Sequence, residues 1–319
     1  MKALTRFAIA LVLSSPTLAA AADDSTAGVV DAPAAPTSLA APAAQPRYDL
    51  PWQLRPVTIG NSVRVESEAA GFNDSPNGNL NAAYTTMVTA SYQVTREWAP
   101  MLRLGFVGND APGAALDGSS FVNPIVGATY ARQLGGYKLA LFGAATIPIG
   151  TGGGDTPNLA AAKANTESMA ARPGDQAMFA VNYMTAIVGG DISYVNHGFT
   201  AQAEATLQQS VRVRGSDSAN ATEAFRTNSS VGLHLGYFIG SQFSVGADLL
   251  YQRWVSNPTA LNDDTLTFAG GPRLHFKVGK QGGVHPGLSF VRGFDGRRFD
   301  APLVTAHPTA LQIDVPVVF

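Results

Sequence analysis

The sequence predicts an all-β chain: an up-and-down antiparallel transmembrane β-barrel of twelve strands, preceded by a signal peptide and a disordered tail. Three observations carry that reading. Apolar and polar residues alternate along long stretches from residue 51 to the end, and the connections between those stretches are short and long by turns. Charged residues make up only 14% of the 319 residues, against roughly 25% in soluble domains. The net charge of −2 excludes a nucleic-acid binder that works by neutralising phosphates. With no cysteine, disulfides, thiolate metal sites and cysteine nucleophiles are excluded too.

Residues 1–22 read as the signal peptide. Lys2 and Arg6 supply positive charge, Phe7 to Leu13 form a short apolar core, and Ala20-Ala21-Ala22 fits a small-residue cleavage site before Asp23. No later stretch reaches the ~18 apolar residues of a membrane helix, so any span must be built from strands. Residues 23–50 are rich in Ala, Pro, Ser and Thr. Pro33, Pro36, Pro42 and Pro46 deny them a regular ladder, and their low hydrophobicity cannot offset the entropy of ordering. They are expected to be a flexible periplasmic tail, with the barrel filling 51–319.

The clearest strand runs from Phe199 to Arg214. Phe199, Ala201, Ala203, Ala205, Leu207, Val211 and Val213 share one face, while Thr200, Gln202, Glu204, Thr206, Gln208, Ser210, Arg212 and Arg214 share the other. Successive strand side chains point to opposite faces, so this strand has one apolar and one polar wall. The same period places further strands near 57–70, 82–96, 99–108, 120–133, 138–149, 183–195, 227–239, 243–256, 265–278, 284–294 and 307–319. Gly and Pro interrupt 120–133 and 284–294.

Short turns fall near Glu97-Trp98, Gly135-Gly136, 196–198, 240–242 and 279–283. Long polar connections fall near 71–81, 109–119, 150–182, 214–226, 257–264 and 295–306. Barrels with tight periplasmic turns and longer outer loops have this asymmetry. Within hydrocarbon every backbone polar group must be paired inside the protein, so strands can cross only as a closed barrel. Tyr92, Trp98, Tyr130, Tyr137, Tyr194, Phe199, Tyr237, Phe243 and Phe276 cluster near the short turns as one aromatic girdle. Tyr84, Phe106, Tyr251, Trp254 and Phe268 are candidates for the other.

The chain ends in alternating apolar residues from Leu311 to Phe319. This ending resembles the terminal strand of Gram-negative outer-membrane β-barrel proteins, over about 51–319. The resemblance implies an outer-membrane location, contact with lipid and lipopolysaccharide, and Phe319 as the signal read by the barrel-assembly machinery. Pro316 departs from the pattern, because it cannot donate a ladder hydrogen bond, and predicts irregular pairing at the seam. Ile147-Pro148-Ile149-Gly150, ahead of a glycine-rich loop, is similar to a feature of outer-membrane proteins grouped with phenol and aromatic-compound degradation. That likeness implies uptake of small, often hydrophobic molecules.

Assigning polar faces to the lumen gives the pore-lining candidates Arg64, Glu66, Glu68, Arg103, Asp191, Glu204, Arg212, Arg214, His234, Asp248, Arg273, His275, Lys277, His285 and Asp314. Acids and bases balance, which fits either a mutually paired interior or a weakly selective polar path. If the turn at 240–242 centres on Ser241, His234 and Asp248 face each other across two strands. They are then either a pH-sensitive or ligand-contacting pair, or one bond in a network. Ser230 lies about 13 Å along the same strand from His234, too far for a nucleophile and its base. No Ser–His or acid–His cluster falls at usable spacing at the rim or on the lipid-facing wall, so no enzyme and no catalytic residue is expected. No cofactor or metal is called for.

In the 150–182 connection, Asn158 is a capping residue ahead of strong helix formers, and Met169 and Pro173 close the segment. The short helix either folds into the mouth as a constriction or rests on the rim. Asp110, Asp117, Asp155, Asp175, Asp217, Asp263, Asp264 and Asp295 lie in the long connections. They are either solvated or placed to share divalent ions with lipopolysaccharide. The expected function is passive passage of small solutes, hydrophobic or aromatic ones included, through a polar lumen gated by 150–182. The alternatives are a structural or adhesive closed barrel and, behind it, an outer-membrane hydrolase.

Overall fold

The computed structural model describes residues 48–73, 82–110, 117–215, 224–256, 264–279, 282–294, 297–299 and 304–319. The expected signal peptide and most of the expected tail (23–47) lie outside the described residues. Twelve wall strands follow one another: β1 Ser62–Asn73, β2 Ala82–Ser91, β3 Trp98–Asp110, β4 Ile125–Leu134, β5 Tyr137–Thr146, β6 Tyr183–Asn196, β7 Phe199–Arg212, β8 Phe225–Ile239, β9 Phe243–Trp254, β10 Thr265–Leu274, β11 Gly287–Gly293 and β12 Val304–Val318. Each is antiparallel to its neighbours, and β12 pairs with β1, so the sheet closes. The short strands Gly118–Phe121, Phe276–Val278, Gly282–Val284 and Arg297–Phe299 extend or flank this wall.

The period-two pattern explains the two surfaces. On β7, Thr200, Gln202, Glu204, Thr206, Gln208 and Ser210 are buried inside, while Phe199, Leu207 and Val211 are exposed outside. On β8, Val231, Leu233, Leu235, Tyr237 and Ile239 are each more than half exposed. In water so continuous an apolar surface would be untenable; hydrocarbon makes it favourable. Trp98 and Tyr130 stack near one tight turn and Tyr137 and Tyr194 near another, with centroids 5.2 and 5.4 Å apart.

Four expectations about the wall need correction. The first strand starts at Ser62, not near 57, because Val57 is buried inside the barrel, where its amide donates to Tyr48 Oη (3.2 Å). The stretch 120–133 divides at Val122–Pro124, where Asn123 turns inward to bond the backbone of Ala180 and Tyr183. The stretch 265–278 breaks at His275. The seam beside Pro316 is regular over twelve pairs, from Ser62↔Val318 to Asn73↔His307. The irregularity lies on the other edge of β12, at His285-Pro286, where the carbonyl of Pro316 accepts from the His285 amide (2.8 Å).

Two segments fill the interior. Residues 48–61, expected as the end of the tail and the start of a strand, fold back inside the tight-turn half, with Asp49, Trp52, Leu54 and Val57 buried. From the long-loop side come α1 Leu159–Ala171, capped by Asn158 Oδ1 on the amides of Ala160 and Ala161, and the single turn α2 Gln176–Phe179. Met178 and Phe179 pack with Met87, Val107, Ile125, Phe142 and Ile187 of the wall. The inner surface from β2 to β6 mixes these apolar residues with buried Thr85, Asn109, Thr146, Thr185, Asp191 and Ser193, whereas the inner face of β7 is polar from Thr200 to Ser210.

Candidate functional site: the occupied lumen

The inner wall holds two groups of charges, each tied to one internal segment. In the long-loop half, Arg172 follows α1 and is buried among Glu66 (3.4 Å), Glu68 (3.3 Å) and Asp175 (2.8 Å). Arg103 joins the same acids, at 2.8 Å from Glu66 and 3.0 Å from Asp175. Burial works against the Arg172 charge, but Asp175, Glu66 and Glu68 more than offset it and raise its pKa, so it remains a cation. Asp175, expected among the exposed loop acids, is therefore an interior residue. Of the two placements open to the helix, in the mouth or on the rim, the structure has the first, with Ala161, Ala164, Asn165, Glu167, Ser168 and Ala171 buried.

In the tight-turn half, residues 48–57 bind the wall. His234 Nδ1 meets Asp248 Oδ1 at 2.6 Å, in the register that the turn at 240–242 requires. The other oxygen of Asp248 accepts from the amides of Trp52 and Gln53 (2.8 and 2.7 Å). Asp49 takes a hydrogen bond from Ser244 Oγ and lies 3.4 Å from His234 Nε2. Glu204 accepts from the Arg55 amide and from its Nη1, both at 2.7 Å. Trp52 lies beneath the Arg273 guanidinium, 4.2 Å from ring centroid to Cζ, and donates from Nε1 to the carbonyl of Gly246. Arg273 is fixed by Asp314 at 2.6 Å, and Asp314 also binds Arg64 at 2.8 Å.

The other candidates stand apart. Asp191 faces Glu204 across β6 and β7 and accepts from Gln202 Nε2 (3.0 Å). Arg212 and Arg214 are at the long-loop end, where Arg214 Nη1 donates to the carbonyls of Pro148, Gly150 and Val181 and ties down the base of the 147–182 connection. Lys277 is exposed near a tight turn. His275 joins Ser244 Oγ (2.8 Å) to His285 Nδ1 (2.9 Å).

A Ser–His contact thus exists on the inner wall, where sequence spacing placed none. Ser244 is fully buried, and the carboxylate beside it contacts the hydroxyl rather than the far side of the imidazole, so the order of a Ser-His-acid triad is not met. Phe319 is exposed, and its amide closes the seam on Asn61.

Sequence reasoning missed Asp49, Trp52, Arg55, Arg172 and Ser244. A signal for Asp49 was present. Gly236 and Gly246 face each other in register at inward positions, and a Cβ on either would overlap the Asp49 carboxylate. Paired inward glycines within a strand mark the close approach of another group.

Between the two internal segments lies a cavity of about 200 Å³. Leu54, Met101, Ile125 and Leu250 line it, with Arg64, Arg103, Asp175 and Glu204 at its edge.

The architecture matches that of an outer-membrane channel from Pseudomonas putida F1, with a TM-score of 0.54 over 85% of this chain and 100% of that one, at 13% identity. The two share a fold. A NanC porin gives a looser likeness, with a TM-score of 0.49, 10% identity and coverage of 79% of this chain and 98% of the porin. No protein-family model matches the sequence, and no curated protein matches it.

Proposed function

We propose that this chain is an outer-membrane barrel for the passive passage of small solutes, closed at rest by residues 48–61 from the periplasmic side and by α1–α2 from outside. One observation carries the reading. A closed barrel with an apolar exterior encloses a chamber bounded by two segments that dock on the wall through side chains rather than being built into it as strands. A purely structural barrel has no use for such a chamber, and its interior would be packed by wall side chains alone. The solved outer-membrane channel of the same fold supports the assignment. Leu54, Met101, Ile125 and Leu250 in the lining, together with the chamber size, favour small molecules with an apolar part.

The location brings lipid and lipopolysaccharide as surroundings, and exposed Phe319 would be what the barrel-assembly machinery reads. The test is conductance in planar bilayers together with liposome swelling. The native chain should give rare or small steps, and a variant lacking both residues 48–61 and residues 159–171 should conduct steadily. Absence of ion flow and of swelling in both would leave the closed structural barrel. Hydrolysis of phospholipid by the purified chain would bring back the enzyme reading.

A further inference from the structure

The recess that holds Asp49 is built by the wall, not by the segment that fills it. His234 is oriented through Nδ1 by Asp248, with both residues on adjacent wall strands. Ser244 is oriented by His275, which is backed by His285. Gly236 and Gly246 leave the volume between them. None of these contacts needs residues 48–61, so the arrangement stands ready whether or not they are docked. Into this volume point the Ser244 hydroxyl and His234 Nε2. The imidazole is fully buried, and Nε2 makes no hydrogen bond, although Asp49 Oδ2 lies within ion-pair reach at 3.4 Å. With Nδ1–H given to Asp248, Nε2 donates when the ring is the imidazolium; that cation, a fixed hydroxyl and glycine-bounded space for two oxygens constitute a carboxylate receptor. Asp248 does not compete for it, because it holds the opposite ring nitrogen, Nδ1.

We propose that this recess is a binding site for the carboxylate of a small solute, and that Asp49 is a tethered stand-in for it. The inference rests on the channel reading and deepens it. The solutes are small organic carboxylates, and a solute bound at His234 and Ser244 displaces Asp49 and so loosens the segment that closes the periplasmic half. Cargo and latch compete for one site. Because a tethered group has a high effective concentration, the native chain resists displacement and a chain without the Asp49 carboxylate does not.

The test uses the full chain with Asp49→Gly, which empties the recess without refilling it, and the probe is ¹³C-labelled acetate followed by NMR, with neutral acetamide as control. Saturable acetate binding is expected in D49G, at least roughly tenfold tighter than in the native chain, without acetamide binding, and lost on adding His234→Gln or Ser244→Ala. Equal binding by native and D49G chains, equal binding of acetate and acetamide, or indifference to His234→Gln would overturn the proposal. Should D49G fail to show the heat-modifiable migration of a folded barrel, Asp49→Asn keeps the shape and removes the charge. Acetate must then compete with the amide and bind more tightly than to the native chain, or the proposal fails. Conductance of the same variants separates the two readings. A conducting D49G that ignores acetate removes only the carboxylate site, whereas failure of every variant to conduct removes the channel.

Discussion

Replacing Arg172 by alanine strips one cation from three buried acids, and the structure shows how the cost divides. Glu66 keeps Arg103 at 2.8 Å and Arg64 at 3.5 Å, and Asp175 keeps Arg103 at 3.0 Å. Among the described residues, the ion pair of Glu68 is with Arg172 alone. Breaking a buried pair by removing one partner costs about 3–5 kcal/mol. With two of the three acids still paired, the lower figure applies. About 3 kcal/mol is roughly a hundredfold in an equilibrium, and it falls on the docking of the 159–179 segment rather than on the hydrogen-bonded wall. The assay is limited proteolysis within 159–179 in vesicle-embedded protein, paired with the open fraction in planar bilayers. Both should rise by about two decades, with Arg172→Lys between native and alanine because it keeps the charge but not the forked geometry. A change below about threefold in both, in protein that still migrates as a folded barrel, would refute the claim that this cluster holds the outer closure.

Other outcomes follow from the same geometry. Leu233→Arg places a charge at the middle of the outer face of β8 and should lower the urea unfolding free energy in vesicles by about 2–4 kcal/mol; a loss near zero would mean that this face does not meet hydrocarbon. Gly236→Val should evict Asp49, move Trp52 fluorescence to the red and expose 48–61 to protease, leaving the barrel intact; an unchanged emission maximum would deny the overlap. Glu204→Gln retains a hydrogen-bond acceptor for Arg55 but loses the charge, and should loosen the same segment by roughly 1 kcal/mol, read as a smaller rise in proteolysis than for Gly236→Val.

The wall was legible because a barrel writes its pattern into every strand. The faces of β7 follow residue by residue, and the His234–Asp248 pairing came from one tight turn, since a three-residue turn leaves the register little freedom. The Asn158 cap and the residues after it gave α1 in the same way. What fills the lumen was not legible. Residues 48–57 have no period, the expected boundary at 50 divides them between tail and barrel, and their ordering comes from contacts with Glu204, Ser244 and Asp248, all about 150 to 200 positions away. Ser244 and His275 likewise meet only because β9 and β10 pair and the second strand breaks at His275. Inward glycines hinted that something approached the wall, but not what.

The path of residues 48–61 sets what is topologically free for the molecule to do. Tyr48 and Asp49 enter beside the turn that joins β6 to β7, touching Gln202 and Thr200, and the chain leaves at Asn61 on the same rim. A loop whose two ends pass through one opening can be drawn out sideways like a drawer, with nothing unthreaded and no strand unpaired. The 147–182 connection is hung in the same fashion from the opposite rim, so either door can swing while the other stays shut. A conduit with two independent doors and a small room between them passes current only in the moments when both stand ajar, so each door multiplies the rarity set by the other.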